Sequence, residues 1–420
     1  MNGFKGMITP VILGGDLGAY STARAFGEGA GVISYVFARD RLALCDNSAF
    51  IKLIVIKQLD DPNVAVEALI QFAKLHEGEE LVLIPAADWY MDMLQYSRDV
   101  LSDYYSFTIP DFEVWRALTD KASFYELLGA QKISYPDTRV MNHQDLCRFS
   151  ELMKGLKPPF VLKPSDSTLY WKNHFDNMQK VYFPYSIDEA KHYAEIIFSS
   201  GYTGKLVIQE RIFEIGKDGC MTEPGASVLT TFSDSTGKVV RAVLGDVLLE
   251  EDGQTSRGNY AAIITKEIDD FSLKLISMLD HMGYVGVANF DIISAVGKSF
   301  CLELNARCGR SSDYTRAAGV NLAKLVLKDM SGIRMERLLS YDEILWSAVP
   351  LKCLTYKPRS IELLMKAEAL YEKGMYSSPF DSELDRSLIR RLYVYVHLRR
   401  QARLYIKFQK EALACSSAGS

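Results

Sequence analysis

Short apolar segments alternate with longer amphipathic segments over roughly residues 1–110. MITPVILGG predicts an apolar strand that ends in Gly14 and Gly15, and DLGAYSTARAFGEGAG predicts the helix that follows it. VISYVFARD predicts a second strand, and EALIQFAKLHEGEELVLIPAADWYMDML predicts a helix, a strand and a helix. Strands that alternate with helices predict a parallel α/β sheet in this part of the chain.

The glycine turn after the first strand also suggests a dinucleotide site. However, GGDLGAYSTARAF lacks the full GxGxxG spacing, and the acid after the second strand, Asp40, is followed directly by Arg41. We therefore expect these glycines to provide a tight turn rather than an NAD or FAD site.

From Asp111 onward the pattern changes to strands separated by polar loops and single helices. KPPFVLKPS predicts an apolar strand that carries Lys163, and GYTGKLVIQERIFE predicts another that ends at Gln209 and Glu210. Two strands surround a DSTG turn, and the helix DDFSLKLISMLDHMGY precedes a hairpin, NFDIISAVGKSFCLELNAR. This order of elements predicts an α+β architecture for the C-terminal half.

The hairpin carries polar side chains where a purely structural core would be apolar. Glu303, Asn305 and Arg307 alternate with apolar residues, so they share one face of the strand. Asp291 lies on the preceding strand, where the hairpin can bring it opposite Glu303. Two carboxylates and an amide form an oxygen-only cluster that suits Mg²⁺. The alternative is a buried salt-bridge network that includes Arg307 and Arg310.

Two lysines that precede the hairpin suit an anionic ligand. Lys121 follows an acid at a predicted helix start, and Lys163 ends an apolar strand. Each is a point charge suited to a phosphate group, although a lysine at a strand end is often only solvated. Together with the predicted metal cluster, they favour a nucleotide-phosphate site.

The composition narrows the class of protein. With 48% hydrophobic residues, 24% charged residues and a net charge of −5, the chain is typical of a globular protein without a global attraction to nucleic acid. Its apolar runs are strand-sized, so we expect no transmembrane segment, and MNGFKGMITPVILGG lacks the pattern of a signal peptide. The seven cysteines form no CxxC pair, which favours reduced thiols and a cytoplasmic location.

The segment from Arg386 to Lys410 is basic and contains no acid. Its apolar residues recur at roughly helical spacing, which predicts a basic amphipathic helix. Such a helix favours peripheral contact with a membrane surface or an anionic substrate. The alternative is a docked helix with a solvated basic face.

The order of these segments resembles the ATP-grasp superfamily over nearly the whole chain. After an α/β domain, the matching segments are DKASFYELL, PFVLKPS, LVIQERIFE and NFDIISAVGKSFCLELNAR. Within the superfamily, CLELNARCGRSSDYTRAAGVNLAKLV, the loop LLEEDGQTSRGNYAAI and the basic C-terminal segment are most similar to the D-aspartate ligase branch of the carboxylate–amine ligases.

The resemblance implies an N-terminal pre-ATP-grasp α/β domain, followed by a two-part ATP-grasp fold that binds nucleotide between antiparallel sheets. The implied units are a pre-ATP-grasp domain at 1–110, a lid subdomain at 111–205, a central metal-binding subdomain at 206–335 and a helical extension at 336–420. A homodimer is a further expectation from the fold.

The resemblance also implies roles for individual residues. ATP would be bound by Lys121, Lys163 and Ser165 at its phosphates, by Gln209, Glu210 and Ile212 at an adenine hinge, and by Glu214 at the ribose. Mg²⁺ would be held by Asp291, Glu303 and Asn305. Arg307 would steady the phosphoryl group, and Arg310 would act with the substrate-binding residues Ser311, Ser312, Gly258 and Asn259.

Two features depart from the family pattern. Asn289 stands where many members have an acid before the aromatic of the first metal strand, and Asp291 lies two residues later on the same face. The phosphate-covering loop, SDSTLYWKNHFDNMQK, has no glycine, so hydroxyls of Ser165, Ser167 and Thr168 would have to serve instead.

The implied activity is an ATP-dependent carboxylate–amine ligase that forms an amide through an acyl phosphate. The substrates would be D-aspartate or a similar small amino acid and a peptidoglycan-precursor amine, for example on a UDP-linked muropeptide. Two alternatives stay open: a ligase that makes a dipeptide or another small-molecule amide, and a non-catalytic nucleotide-binding protein. The candidates for the general base are Glu223, Glu250 and Glu251.

Overall fold

The structure is a computed structural model. It describes residues 8–216, 221–251, 258–339, 341–356 and 358–418, and the side chains of residues 167, 168 and 408–418 lie outside the description.

A parallel sheet of four strands, in the order β3-β2-β1-β4, forms the N-terminal part. Its elements are β1 (Ile8–Leu13), α1 (Leu17–Ala30), β2 (Ser34–Ala38), β3 (Ile51–Val55), α2 (Pro62–Leu75), β4 (Glu80–Pro85), α3 (Asp88–Tyr96) and α4 (Arg98–Leu101). The first two helices begin at aspartate caps, because Asp16 accepts from the Ala19 amide and Asp61 from the Asn63 amide. Helix α1 ends at Gly31, whose φ of 71° suits glycine.

Two helices then lead into a small antiparallel sheet in the order β5-β7-β6. The elements are α5 (Phe112–Thr119), α6 (Lys121–Ala130), β5 (Thr138–Met141), a 3₁₀ helix (His143–Arg148), α7 (Phe149–Leu152), β6 (Phe160–Pro164), α8 (Ser167–Trp171), α9 (Ile187–Ser199) and β7 (Leu206–Glu210). This part has a hydrophobic core of its own, in which Phe160, Tyr170 and Ile197 are buried.

The largest sheet has seven strands in the order β14-β13-β10-β11-β12-β15-β16, and all neighbours are antiparallel except the last pair. The elements from here on are β8 (Glu214–Ile215), β9 (Met221–Thr222), β10 (Gly225–Ser233), β11 (Val239–Glu250), β12 (Tyr260–Lys266), α10 (Asp270–Met282), β13 (Gly286–Ala295), β14 (Lys298–Asn305), α11 (Asp313–Ala317), α12 (Leu322–Met330), β15 (Leu345–Ser347), a 3₁₀ helix (Leu351–Cys353), α13 (Ile361–Glu372), β16 (Tyr376–Ser377) and α14 (Leu388–Ala418). Among the described residues, strands β8 and β9 pair only with each other.

One hydrophobic core joins the parallel sheet to the largest sheet. It contains Val11 and Leu83 of the parallel sheet, Trp115 and Phe124 of the two connecting helices, and Phe290 of β13. The hairpin β13-β14 is therefore fixed against the N-terminal part, so the carboxyl ends of β1 and β4 lie close to it.

The predicted fold class is confirmed: a parallel α/β sheet is followed by a three-stranded antiparallel sheet, the β8-β9 pair and a seven-stranded sheet that is mainly antiparallel. The four unit boundaries stay a prediction; strand β7, which begins at Leu206, pairs with β5 and β6. In the described part of the chain, no helix combines the length and the apolarity that a bilayer crossing requires.

Candidate active site

A cleft of about 1960 Å³ opens between the parallel sheet, the small sheet β5-β7-β6 and the seven-stranded sheet. Most of the residues that the sequence predicted for the site line this cleft: Lys121, Lys163, Ser165, Glu214, Gly258, Asn259, Asp291, Glu303, Asn305, Arg307, Arg310 and Ser311. The side chains of Gln209, Glu210, Ile212 and Ser312 are not among the lining residues. The structure thus brings together residues that are separated by nearly 200 positions in sequence.

The hairpin β13-β14 supplies the acids. Its antiparallel register places Asp291 directly opposite Glu303, as predicted from the hairpin, and also places Asn289 opposite Asn305. One oxygen of Asp291 accepts a hydrogen bond from the Tyr260 hydroxyl at 2.8 Å, and the Asn305 amide lies 3.4 Å from the other. Tyr260, at the start of β12, therefore orients the Asp291 carboxylate of β13, although β10 and β11 lie between these two strands in the sheet.

The two facing carboxylates have opposite pKa shifts. Burial, and then the charge of Glu303, raise the pKa of Asp291. Burial also acts to raise the pKa of Glu303, but the ammonium groups of Lys163, Lys121 and Lys180 outweigh it and hold that pKa low. Glu303 is therefore firmly ionised. Burial and the charge of Glu303 disfavour the ionised form of Asp291.

This donor set fits a hard divalent cation. A magnesium ion prefers carboxylate and amide oxygens and leaves part of its shell to phosphates and water, and a cation between Asp291 and Glu303 would remove their mutual repulsion. No cluster of three or more His, Cys, Asp or Glu ligands occurs within the described ranges. The remaining ligands would therefore be the Asn305 amide and groups of a bound nucleotide. The metal assignment stays a prediction.

The lysines approach the acid pair from the other side of the cleft. Lys121 is the first residue of α6, which Asp120 caps, and its Nζ donates to the Pro164 carbonyl at 3.1 Å. Burial, and then the charge of Lys163, lower the pKa of Lys121 to about 8. Burial also lowers the pKa of Lys163. Two buried ammonium groups of like charge favour an anion between them, which a phosphate chain would provide.

The side chains of Gln209 and Glu210, which were predicted for an adenine hinge, form hydrogen bonds in and beside the small sheet instead of facing the cleft. The Gln209 amide, which is 2% exposed, donates to the Thr138 hydroxyl at 2.9 Å. The Glu210 carboxylate accepts from the Lys157 backbone amide at 2.7 Å. A hinge at this place would therefore use backbone groups. Ser312 is 7% exposed, and Ser311 lines the cleft beside it.

Two arginines connect the hairpin region to the N-terminal part. Arg307 forms a two-pronged ion pair with Asp88, with Nε–Oδ1 at 2.6 Å and Nη2–Oδ2 at 2.7 Å. Arg310 Nη1 lies 2.8 Å from Glu251 Oε1, and its Nε lies 3.9 Å from Asp16 Oδ2. Both predicted catalytic arginines are therefore held in place by acids that also line the cleft.

No protein-family model matches the chain. The chain is 28% identical over 393 residues to a D-aspartate ligase of Enterococcus faecium (strain Aus0004), with 91% of this chain and 92% of that protein covered. An ADP complex of N5-carboxyaminoimidazole ribonucleotide synthetase is similar in structure, with a TM-score of 0.60, 11% identity and 88% of each chain covered. An L-amino acid ligase from Bacillus licheniformis has a TM-score of 0.54 at 13% identity, with 79% of this chain and 78% of that chain covered. The chain has the ATP-grasp fold.

The predicted resemblance to the D-aspartate ligase branch is thereby confirmed. The predicted class of enzyme, an ATP-dependent carbon–nitrogen ligase, is confirmed as well. The roles of single residues in the ATP-grasp cleft stay predictions.

Sequence reasoning missed Asp16 and Asp88. Asp16 caps α1 just after β1, and Asp88 begins α3 just after β4. Because β1 and β4 are neighbouring parallel strands, the segments after their carboxyl ends lie at the same sheet edge. Acids directly after two such strands were therefore a usable signal for the ATP-grasp cleft.

The glycine-free segment predicted to cover the phosphates contains a short helix and buried aromatic residues. Asp166 caps α8 by accepting from the Leu169 amide at 2.8 Å, and the buried Tyr170 hydroxyl lies 2.8 Å from the Tyr182 hydroxyl. The Nζ of Lys172 lies 5.1 Å from the Trp89 ring of α3, so this segment contacts the N-terminal part. Ser165 lines the cleft. The predicted hydroxyls of Ser167 and Thr168 lie outside the described side chains.

The three predicted base candidates all line the ATP-grasp cleft, and each is paired with an arginine. Glu223 pairs with Arg211 at 3.1 Å, Glu250 pairs with Arg359, and Glu251 pairs with Arg310. A further acid, missed from the sequence, is Asp92 on α3. Burial, and then the charges of Asp88 and Asp166, raise its pKa to about 7.

Proposed function

We propose that the protein uses ATP to join the carboxylate of D-aspartate, or of a similar amino acid, to an amine of a peptidoglycan precursor. The observation that carries the proposal is the convergence of the Asp291–Glu303 pair with Lys121 and Lys163 in one cleft. The similarity to a D-aspartate ligase supports the choice of the acid substrate.

In this proposal Lys121 and Lys163 bind the phosphates of ATP, and the backbone of residues 209–212 contacts the adenine. Asp291, Glu303 and Asn305 would hold Mg²⁺, which supplies charge neutralisation at the phosphate oxygens when it is bound. Because both lysines are buried beside the acid pair, their attraction to phosphate is screened less than it would be at the surface.

The reaction would proceed in two steps. An oxygen of the substrate carboxylate attacks the γ-phosphorus of ATP, the bond to the β-phosphate oxygen breaks, and acyl phosphate and ADP form. The amine then attacks the acyl carbon, the bond to the phosphate oxygen breaks, and the amine loses a proton. Arg307 steadies the transferred phosphoryl group by positioning and charge neutralisation.

Arg310, Ser311, Ser312, Gly258 and Asn259 would form the amino-acid side of the site. Arg310 already binds one carboxylate, that of Glu251, at 2.8 Å. A substrate carboxylate would bind Arg310 together with Glu251 or in place of Glu251, because a guanidinium group can bind two oxygens at once. Exchange of partners would also release Glu251, one of the base candidates.

ADP release tests the substrates. The protein is incubated with ATP, Mg²⁺ and a panel of amino acids, with and without a UDP-linked muropeptide that carries a free side-chain amine. We expect ADP release with D-aspartate only when the nucleotide is also present. ADP release at background level for this combination would contradict the peptidoglycan substrate.

A matched pair of variants tests the cleft. Glu303→Gln removes one member of the acid pair, so we expect turnover to disappear. Glu67→Gln makes the same change at an exposed position on α2 outside the cleft and should leave turnover unchanged. Full activity of Glu303→Gln would rule out the metal role of this residue.

The second candidate is a ligase for free amino acids or other small molecules, which the fold likeness to an L-amino acid ligase favours. It would release ADP with pairs of free amino acids and without a muropeptide. ATP binding without ADP release under any of these conditions would indicate the non-catalytic alternative. A cytoplasmic location, where ATP is available, and a homodimer in solution are further parts of the proposal, and light scattering measures the oligomeric state.

A further inference from the structure

Helix α14 presents an outward face that the proposed reaction does not use. We propose that this face docks the protein onto an anionic phospholipid surface. The outer face consists of large apolar residues and arginines: Leu388, Ile389, Leu392, Tyr395, Val396, Arg399 and Arg403. The inference is independent of the proposed substrates.

The opposite side of α14 is anchored to the protein. Arg390 is 2% exposed, its Nε lies 3.2 Å from Asp385 Oδ2, and its guanidinium lies 4.4 Å from the Tyr20 ring. Farther along the helix Ala402 and Tyr405 are buried, and the Tyr405 hydroxyl donates to the Glu250 carbonyl at 3.1 Å. These contacts fix the rotation of the helix, so its outer face is directed away from the protein.

The outer face exposes far more apolar surface than a solvated helix needs. Leu388 is 82% exposed, Leu392 is 65% exposed and Val396 is 55% exposed. They recur every four residues, so they form one stripe along the helix. Ile389 and Tyr395 flank the stripe at 63% and 51% exposure. Contiguous apolar residues at this exposure indicate an interaction surface.

The charges beside this stripe all have the same sign. Arg391, Arg399, Arg400 and Arg403 are exposed on α14, and no acid occurs between Arg386 and Lys410. The Arg399 guanidinium stacks on the Tyr395 ring at 4.4 Å, which holds a cation next to apolar surface. A helix with exposed aliphatic residues and flanking arginines fits an anionic bilayer interface, where both kinds of group gain free energy.

Other occupants fit less well. A second copy of this chain, docked through the same face, would bring arginines against arginines at a two-fold interface. A nucleic acid would pair with the arginines but would leave the aliphatic stripe in water. An anionic phospholipid surface satisfies the arginines with its headgroups and the stripe with its acyl boundary.

Vesicle flotation tests the inference with the full-length chain. We expect the protein to float with vesicles that contain about one-third phosphatidylglycerol in phosphatidylcholine, and not with pure phosphatidylcholine vesicles. Binding should weaken as salt rises from about 0.1 M to about 1 M, because the screening length falls from about 10 Å to about 3 Å. Absence of flotation with the anionic vesicles at low salt would overturn the inference.

Two variants separate the apolar and the charged contributions. The triple variant Leu388→Ser, Leu392→Ser, Val396→Ser removes the stripe, and the double variant Arg399→Glu, Arg403→Glu reverses two charges. Each lost cation weakens partitioning roughly fivefold near an anionic surface, so the double variant should bind at least tenfold more weakly. We expect a loss of similar size for the triple variant.

The control changes an equally exposed apolar pair on α13. Ile361 and Met365 are 74% and 65% exposed, but the acids Glu362 and Glu368 lie beside them. The variant Ile361→Ser, Met365→Ser should bind vesicles like the wild type. An equal loss of vesicle binding in this control would contradict membrane docking. A wild-type dimer that dissociates only in the triple variant would contradict it as well. All variants change exposed side chains, so melting temperatures should stay at the wild-type value.

Discussion

The ion pair between Asp88 and Arg307 offers a direct test of how the N-terminal part contributes to the reaction. Its two hydrogen bonds, at 2.6 and 2.7 Å, occupy one edge of the guanidinium plane, while Nη1 donates to the Cys308 carbonyl at 3.0 Å. The Arg307 side chain is 15% exposed, whereas the Asp88 side chain is 61% exposed. Replacement of Asp88 by alanine should therefore leave Arg307 with its Cys308 contact but less firmly oriented, without loss of the fold.

The size of the effect follows from these exposures. Charged hydrogen bonds contribute about 1.5–3 kcal/mol, and the exposed Asp88 carboxylate places this pair at the low end. A loss of about 1.5 kcal/mol in transition-state stabilisation lowers kcat roughly tenfold. Because Arg307 acts on the transferred phosphoryl group in the proposed reaction, kcat should fall, while the KM for the amine substrate should change little.

The assay is steady-state ADP release by Asp88→Ala, Asp88→Glu and Asp40→Ala. Asp88→Glu keeps the carboxylate and should recover part of the activity. Asp40 is 60% exposed and pairs with Arg39 at 3.0 Å outside the cleft, so Asp40→Ala is the matched control. A kcat for Asp88→Ala within twofold of the wild type would refute the positioning role. A drop in melting temperature that parallels the loss of activity would refute it too.

Three further predictions concern single groups. Lys163→Ala should raise the KM for ATP or lower kcat by about 10- to 1000-fold. The control variant Lys74→Ala changes an exposed lysine and should alter neither constant. Equal kinetics for the two variants would contradict the phosphate-binding role of Lys163. Burial, and then Asp88 and Asp166, raise the pKa of Asp92 to about 7, so the folded state binds this proton more tightly than the unfolded chain and loses stability as pH rises from about 4 to 7. The melting temperature of Asp92→Asn should therefore exceed that of the wild type by a margin that grows over this pH range, and a constant margin would contradict the shift. Asp385→Ala leaves the buried Arg390 without its carboxylate, so it should lower the free energy of unfolding by about 3–5 kcal/mol in denaturant titrations; a change below about 1 kcal/mol would show that the pair is dispensable.

The elements with a clear period were predictable from the sequence. Polar and apolar residues alternate through Glu303, Asn305 and Arg307, and the structure has Asp291 opposite Glu303. The position of Lys121 at the start of α6 was also predictable, because an acidic cap residue directly before a helix is a recognisable sequence pattern. These features depend on local chemistry, which a single sequence contains.

The partners of the arginines were not predictable in the same way. Asp88 lies 219 positions from Arg307, and no periodicity links a helix start to a distant strand end. The side chains of Gln209 and Glu210 illustrate the same limit, because their partners, Thr138 and Lys157, lie in separate segments. The packing of α3 against the hairpin region creates the Asp88–Arg307 contact, and the pairing of β7 with β5 places Gln209 beside Thr138.

The surroundings of Asn289 favour a neutral side chain over a third acid in the proposed metal site. Its side-chain oxygen accepts from the Thr230 hydroxyl at 2.7 Å, and it is 5% exposed. A Cβ on Gly309 would lie 3.0 Å from that same oxygen, so the following turn packs directly on the amide. A carboxylate here would add a third buried negative charge beside Asp291 and Glu303, which already repel each other. The neutral amide keeps the packing and, in the proposed site, leaves the metal role to Asp291, whose carboxylate accepts from Tyr260 of β12.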